Sequence, residues 1–198
     1  MSFGEGSSLQ MNAVCSSTLR RRNFGSLKTF VPDPVERDQW QVSVLVWGAI
    51  KYNQTSILEI VNGNLNAAKY LSILKRRLMR NLPDLRDSSP LDVVEDTLIF
   101  QQDNASVHTA NEVKTYFQER SIYVLPWPPK SPDLNLIEEV WAWLKNGLKR
   151  SYRDVEELEE DIIYIWESIP SEFIKKLYDS MKNRIQAVIE AQGGPTDY

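Results

Sequence analysis

The sequence predicts a three-layer α/β domain, a mixed sheet covered by helices. Three observations predict it: β-branched apolar runs gather in the first half, amphipathic helical periods in the second, and a strand–helix–strand unit lies between them. Val42 to Ile50 is a near-continuous apolar run and Thr55 to Val61 a second, with KYNQ between, which reads as a β-hairpin. Asn62-Gly63 turns the chain into a helix on which Ala67, Leu71, Leu74 and Leu78 recur at the helical period. A polar, proline-bearing loop is expected from Asn81 to Glu95. DTLIFQQD then reads as a buried strand turning polar at its C-terminal end, where α/β folds place their ligands. A helix from about Thr109 to Glu119 and a strand over Ile122 to Leu125 complete the strand–helix–strand unit.

PWPPKSPDLN, too proline-rich for regular structure, is an extended loop. Three helices follow. Leu134 to Arg150 carries Leu134, Ile137, Trp141, Leu144 and Leu148 on one face; Val155 to Trp166 carries Val155, Leu158, Ile162, Ile165 and Trp166; Phe173 to Ala191 carries Phe173, Leu177, Met181, Ile185 and Val188. Gly193-Gly194-Pro195 stops the last. Residues 1–40, rich in Ser, Asn, Arg and Gly and closing on VPDPVERD, show no sustained period. The expected division is an irregular tail or connector over 1–40 and one domain over 41–198.

Composition narrows the function. The 198 residues include 27 Asp+Glu against 23 Lys+Arg, a net charge of −4, with 42% hydrophobic residues, one Cys and one His. That is enough apolar material for a core, and a disordered chain is excluded. Cys15 alone makes no internal disulfide, and one Cys with one His builds no structural zinc site, so any metal must sit on carboxylates. The N-terminus lacks a secretory pattern and VSVLVWGAI is too short to span a bilayer, so an intracellular protein is expected. Glycine-rich phosphate loops, GxSxG and HExxH are all absent, which leaves nucleophilic catalysis nothing to stand on.

Two carboxylates stand out. Asp103 follows the strand in QQDNASVHTA, where the plain alternative is a turn or helix cap. Glu138 in SPDLNLIEEVW falls three residues after Asn135, which suits a capping box; the helical wheel sets it at the edge of the buried stripe and points Glu139 into solvent. His108 reads as a packing or hydrogen-bonding residue. The basic clusters are Arg20 to Arg22, Lys75-Arg76-Arg77 with Arg80, and Lys145, Lys149 and Arg150. Such charge on helix faces is ordinarily solvation unless it flanks a site.

The runs VSVLVWGAI, QQDNASVHTA, LPWPPKSPDLNLIEEVWAWLK and SMKNRIQAVIEAQGGPTDY together resemble the catalytic domain of mariner-superfamily DDE transposases, over roughly residues 19–198. The spacing from Asp103 to Glu138 is typical of one branch. The resemblance implies a ribonuclease H-like fold and cut-and-paste cleavage, transfer and integration of DNA in the nucleus. It makes Asp103 and Glu138 the second and third carboxylates of a triad that holds two Mg²⁺ or Mn²⁺ ions, one activating the attacking oxygen and one stabilising the leaving oxygen. It implies transposon ends and target DNA as partners, admits a homodimer, and places Lys145, Lys149 and Arg150 near the DNA backbone.

The first triad Asp is not located. Asp33 lies between prolines and Asp38 in a charged turn, and neither ends an apolar strand. The first strand is therefore expected to be missing, leaving an edge or a hole in the sheet beside the hairpin and Asp103, and the chain to be a truncated or inactive copy. The alternatives are a domesticated, non-catalytic nucleic-acid-binding module and a structural domain in which both carboxylates are caps.

Overall fold

In the computed structural model the described residues are 13–22, 43–52, 57–80, 98–129, 131–149 and 152–198. The expected loop over 81–95, Asp33, Asp38 and Arg150 lie outside them.

A five-stranded sheet forms the middle layer. Its strands are β1 (Ala13–Arg22), β2 (Ser43–Ile50), β3 (Ile57–Val61), β4 (Leu98–Gln102) and β5 (Ile122–Val124), in spatial order β3-β2-β1-β4-β5. β1 runs antiparallel to β2, β2 antiparallel to β3, and β1-β4 and β4-β5 are parallel. The hairpin and the strand–helix–strand unit are as the sequence predicts.

β1 is not. A segment expected to be part of an irregular tail occupies the centre of the sheet, so the expected edge or hole is filled. Ser, Thr and Arg give it no alternation to read, yet a position between two strands satisfies its backbone groups on both sides. Cys15 pairs with Ile50 on one side and Gln101 on the other, and Ser16 with Ala49 and Gln102.

Both faces of the sheet are covered, which is why β2 reads as an unbroken apolar run. Val44, Val46 and Ile50 belong to one core with helices α3 (Ile137–Gly147), α4 (Val155–Glu167) and α5 (Ser171–Glu190). Trp47 and Ala49, at the alternate positions, belong to a second core with α1 (Ala67–Ile73) and α2 (Asn111–Glu119). Asn66 caps α1 by accepting from the Lys69 N–H at 2.8 Å, and α1 continues into a π-helical turn over Leu74–Leu78. Asp154 caps α4 through the Glu157 N–H at 2.8 Å. Two expected core positions are outside: Val155 is 40% and Ile185 44% exposed. No described helix is long and apolar enough to cross a membrane.

Gly48 sets how closely α3 and α4 approach. A Cβ there would lie 2.5 Å from Trp141 Cη2 and 2.7 Å from Trp166 Cη2, and the two indoles stack over the glycine with centroids 5.2 Å apart. The helix that carries Glu138 is seated on the sheet by this contact.

Candidate active site

Asp103 immediately follows β4. Its Oδ1 accepts the Ala105 N–H at 3.0 Å, closing a tight turn, and lies 2.5 Å from His108 Nδ1. A carboxylate only accepts, so Nδ1 donates. The hydrogen bond and charge of His108 hold the Asp103 carboxyl below its ordinary range against the opposing effect of burial, with the Ala105 N–H adding to the depression. Asp103 is thus both a turn former and an ionised carboxylate, half open to solvent. The turn alternative is the one this geometry displays.

His108 is the buried partner, 1% exposed. Its ring packs against Tyr70 of α1 at 4.4 Å with the planes tilted by 41°; the Tyr70 hydroxyl donates to Gln102 Oε1 at 2.6 Å, and Gln102 Nε2 donates to the His108 carbonyl at 3.1 Å. These contacts lock the imidazole, and through it the orientation of Asp103. Gln101, two residues before Asp103 and on the same side of the strand, is buried with both amide atoms unpartnered. The sequence contains no signal for this arrangement beyond the two glutamines that end an apolar strand.

The segment that leads to Glu138 starts at the same end of the sheet. β4 and β5 are parallel, so the loop leaving β5 starts on the side where Asp103 lies, and Asn104 Nδ2 fastens it by donating to the Trp127 carbonyl at 2.8 Å. α3 begins at Ile137, and its cap residue is Leu136, without a side-chain bond. Asn135 is buried and its Oδ1 has no partner, so the expected capping box with Glu138 does not form. Glu138, in the first turn of α3, is exposed, not at the core boundary.

The solvated role expected of Glu139 is also corrected. Its Oε1 accepts from Arg184 Nη2 at 3.2 Å. Arg184, on α5 and 4% exposed, also donates to the Asp133 carbonyl at 2.8 Å and to Ser180 Oγ at 3.0 Å, and lies 4.7 Å over the Tyr198 ring. The Thr196 hydroxyl adds a bond to Asp133 Oδ2 at 3.1 Å. The SMKNRIQAVIEAQGGPTDY run therefore clasps both sides of the start of α3.

Of the three cations placed near DNA, Lys145 is exposed on α3. Lys149 is engaged within the chain: its Nζ donates to Glu157 Oε1 at 3.2 Å and sits 5.6 Å over the Tyr152 ring. Among the described residues no three Asp, Glu, His or Cys side chains gather to hold a metal ion. β1, beside β4, carries Ser16 opposite Gln102 and Ser17 next in line, and no Asp or Glu along its length.

Comparison with known proteins accords with this topology. The chain is 35% identical over 159 residues to the Tc3 transposase and 35% over 161 residues to the Tc1 transposase, both of Caenorhabditis elegans. These alignments take in 79% of this chain and 46% and 55% of the relatives, so the chain spans about half the length of the curated relatives it matches. Its fold is similar to that of the catalytic domain of Mos1 mariner transposase, with a TM-score of 0.73 at 19% identity over 96% of this chain and 86% of that one. A pre-cleavage Mos1 transpososome gives 0.76 at 18% identity over 95% and 58%. The family model of the DDE superfamily endonucleases matches residues 14–159, a span that includes both Asp103 and Glu138. The chain belongs to that superfamily, as a mariner/Tc1-type DDE transposase catalytic domain with a ribonuclease H-like fold.

Proposed function

We propose that the chain is a DNA transposase catalytic domain of the cut-and-paste class that holds DNA but is inactive in cutting it. The observation that carries this reading is the family match across the strand end with Asp103 and the helix start with Glu138, combined with a β1 free of carboxylates. Mos1 transposase forms paired-end complexes with a left transposon end and with Mn or Mg, and by that analogy transposon ends and target DNA are the proposed partners of this chain, in the nucleus, with a second copy of the chain as a further partner.

Asp103 and Glu138 are the carboxylates we assign to a divalent cation. A two-ion centre needs ligands shared between the ions, and the described donor set does not fit one. Lys145 keeps its proposed place near the DNA backbone. Lys149 would have to leave Glu157 first.

The experiment pairs Mn²⁺ titration of the melting temperature with Mg²⁺- or Mn²⁺-dependent strand cleavage of transposon-end DNA. Expected are DNA binding, a small Mn²⁺ stabilisation absent from Asp103→Asn and weakened in Glu138→Gln, and no cleavage. Cleavage by the wild type overturns the inactive reading. Loss of DNA binding altogether removes the transposase reading, and identical Mn²⁺ titrations for wild type and Asp103→Asn remove the metal assignment.

A further inference from the structure

A second polar site, built from residues other than Asp103 and Glu138, lies where the π-helical turn after α1 meets α2. The sequence KRRLMR places Lys75, Arg76, Arg77 and Arg80 within six residues of a chain whose net charge is −4. All four are exposed, while Leu74 and Leu78 of the same turn are fully buried. A π-turn inserts one residue per turn, which lets three successive cations sit outside two buried leucines without unwinding the helix.

The cations are held in place. Glu59 of β3, 8% exposed, accepts from Arg76 Nη2 at 2.7 Å and from Arg77 Nε. The carboxylate fixes both side chains, and each stays about half exposed. Lys75 Nζ and Arg120 approach the buried ring of Tyr116, at 5.5 and 5.8 Å from its centroid. Lys75 and Arg80 make no ion pair among the described residues. Between them runs an open groove of about 500 Å³ lined by Ala68, Ser72, Lys75, Arg76, Arg80 and a single acid, Glu112.

We infer that this groove is a phosphodiester-backbone site, where a DNA strand is held through its phosphates without reading of its bases. The Arg76 guanidinium, fixed by Glu59 and half exposed in the groove, matches phosphate geometry, and no aromatic face is exposed among the groove residues to stack a base. Glu112 is the one group that opposes an anion there. The inference rests on DNA being the partner of the fold, and assigns part of the grip to side chains other than Asp103 and Glu138.

The test is binding of a short random-sequence duplex by the whole chain across a salt series. The double variant Lys75→Gln/Arg80→Gln is expected to reduce the slope of log K against log salt by about two, since each phosphate contact contributes about one. Glu112→Gln is expected to do the reverse and tighten binding at fixed salt. Lys176→Gln/Lys182→Gln, two exposed lysines of α5, is the control of equal charge and should leave the slope near the wild type. An unchanged slope in the groove variant, or an equal fall in the control, overturns the groove assignment while DNA binding by the fold stands. Absence of salt-dependent binding in the wild type overturns both, and the Mn²⁺ titration still reports separately on Asp103.

Discussion

Glycine 48 shows how one missing carbon places a helix. Any side chain there must push apart two buried indoles, and neither Trp141 nor Trp166 has room to retreat, being 1% and 3% exposed. Gly48→Ala should cost about 1–3 kcal/mol by overpacking, read as a lower urea midpoint with unchanged slope. Glu157 is a second test at this scale. The Arg153 backbone N–H, then the side chains of Lys149 and Arg153, lower its carboxyl from 4.5 to about 2. A depressed carboxylate stabilises the fold above its unfolded pKa, and that contribution is lost as pH falls from about 4.5 to about 2. Glu157→Gln should therefore flatten the decline of stability across that window and change its slope little at neutral pH; equal acid titrations of variant and wild type would contradict the assignment.

Among the elements, α3 depends on α5 for its entry. Arg184 ties the Asp133 carbonyl and the Glu139 carboxylate to one buried guanidinium. Arg184→Met keeps the apolar stem but leaves that carbonyl unpaired. Glu139, 41% exposed, regains water, so the loss should be near that of one buried hydrogen bond, about 2 kcal/mol, or a fall in Tm of about 4–8 °C by calorimetry. A Tm within a degree or so of wild type would show that the clasp bears no load.

The same elements show which features a sequence displays. The stripe Ile137, Trp141, Leu144 of α3 is legible because burial imposes a helical period on nearby residues. Arg184 is not, since its two partners at the start of α3 lie 45 and 51 residues away along the chain and no local pattern reports them. Asp103 stood out because a carboxylate ending an apolar strand is unusual, whereas the His108–Gln102–Tyr70 lock that orients it depends on α1, 32 residues earlier. Asn135 misled because the residue type favours caps while the helix starts after Leu136.

For the whole molecule, the sheet depends on β1. Ser16 has neighbours on both sides, so whichever way its N–H points it faces another strand. Ser16→Pro removes that donor in a central strand and should cost at least about 1–3 kcal/mol, that of an unsatisfied buried backbone group, seen as a lower melting temperature; a melting curve matching wild type would deny β1 its central place. The pairing also bears on how the molecule assembles. Ala13–Arg22 precedes in sequence every strand it joins, and Ser16 must find Ala49 and then Gln102, far along the chain. Bringing such distant segments together demands closure of long loops before any bond repays it, so refolding should be slow, limited by the arrival of β4 and not by the quick local winding of the helices.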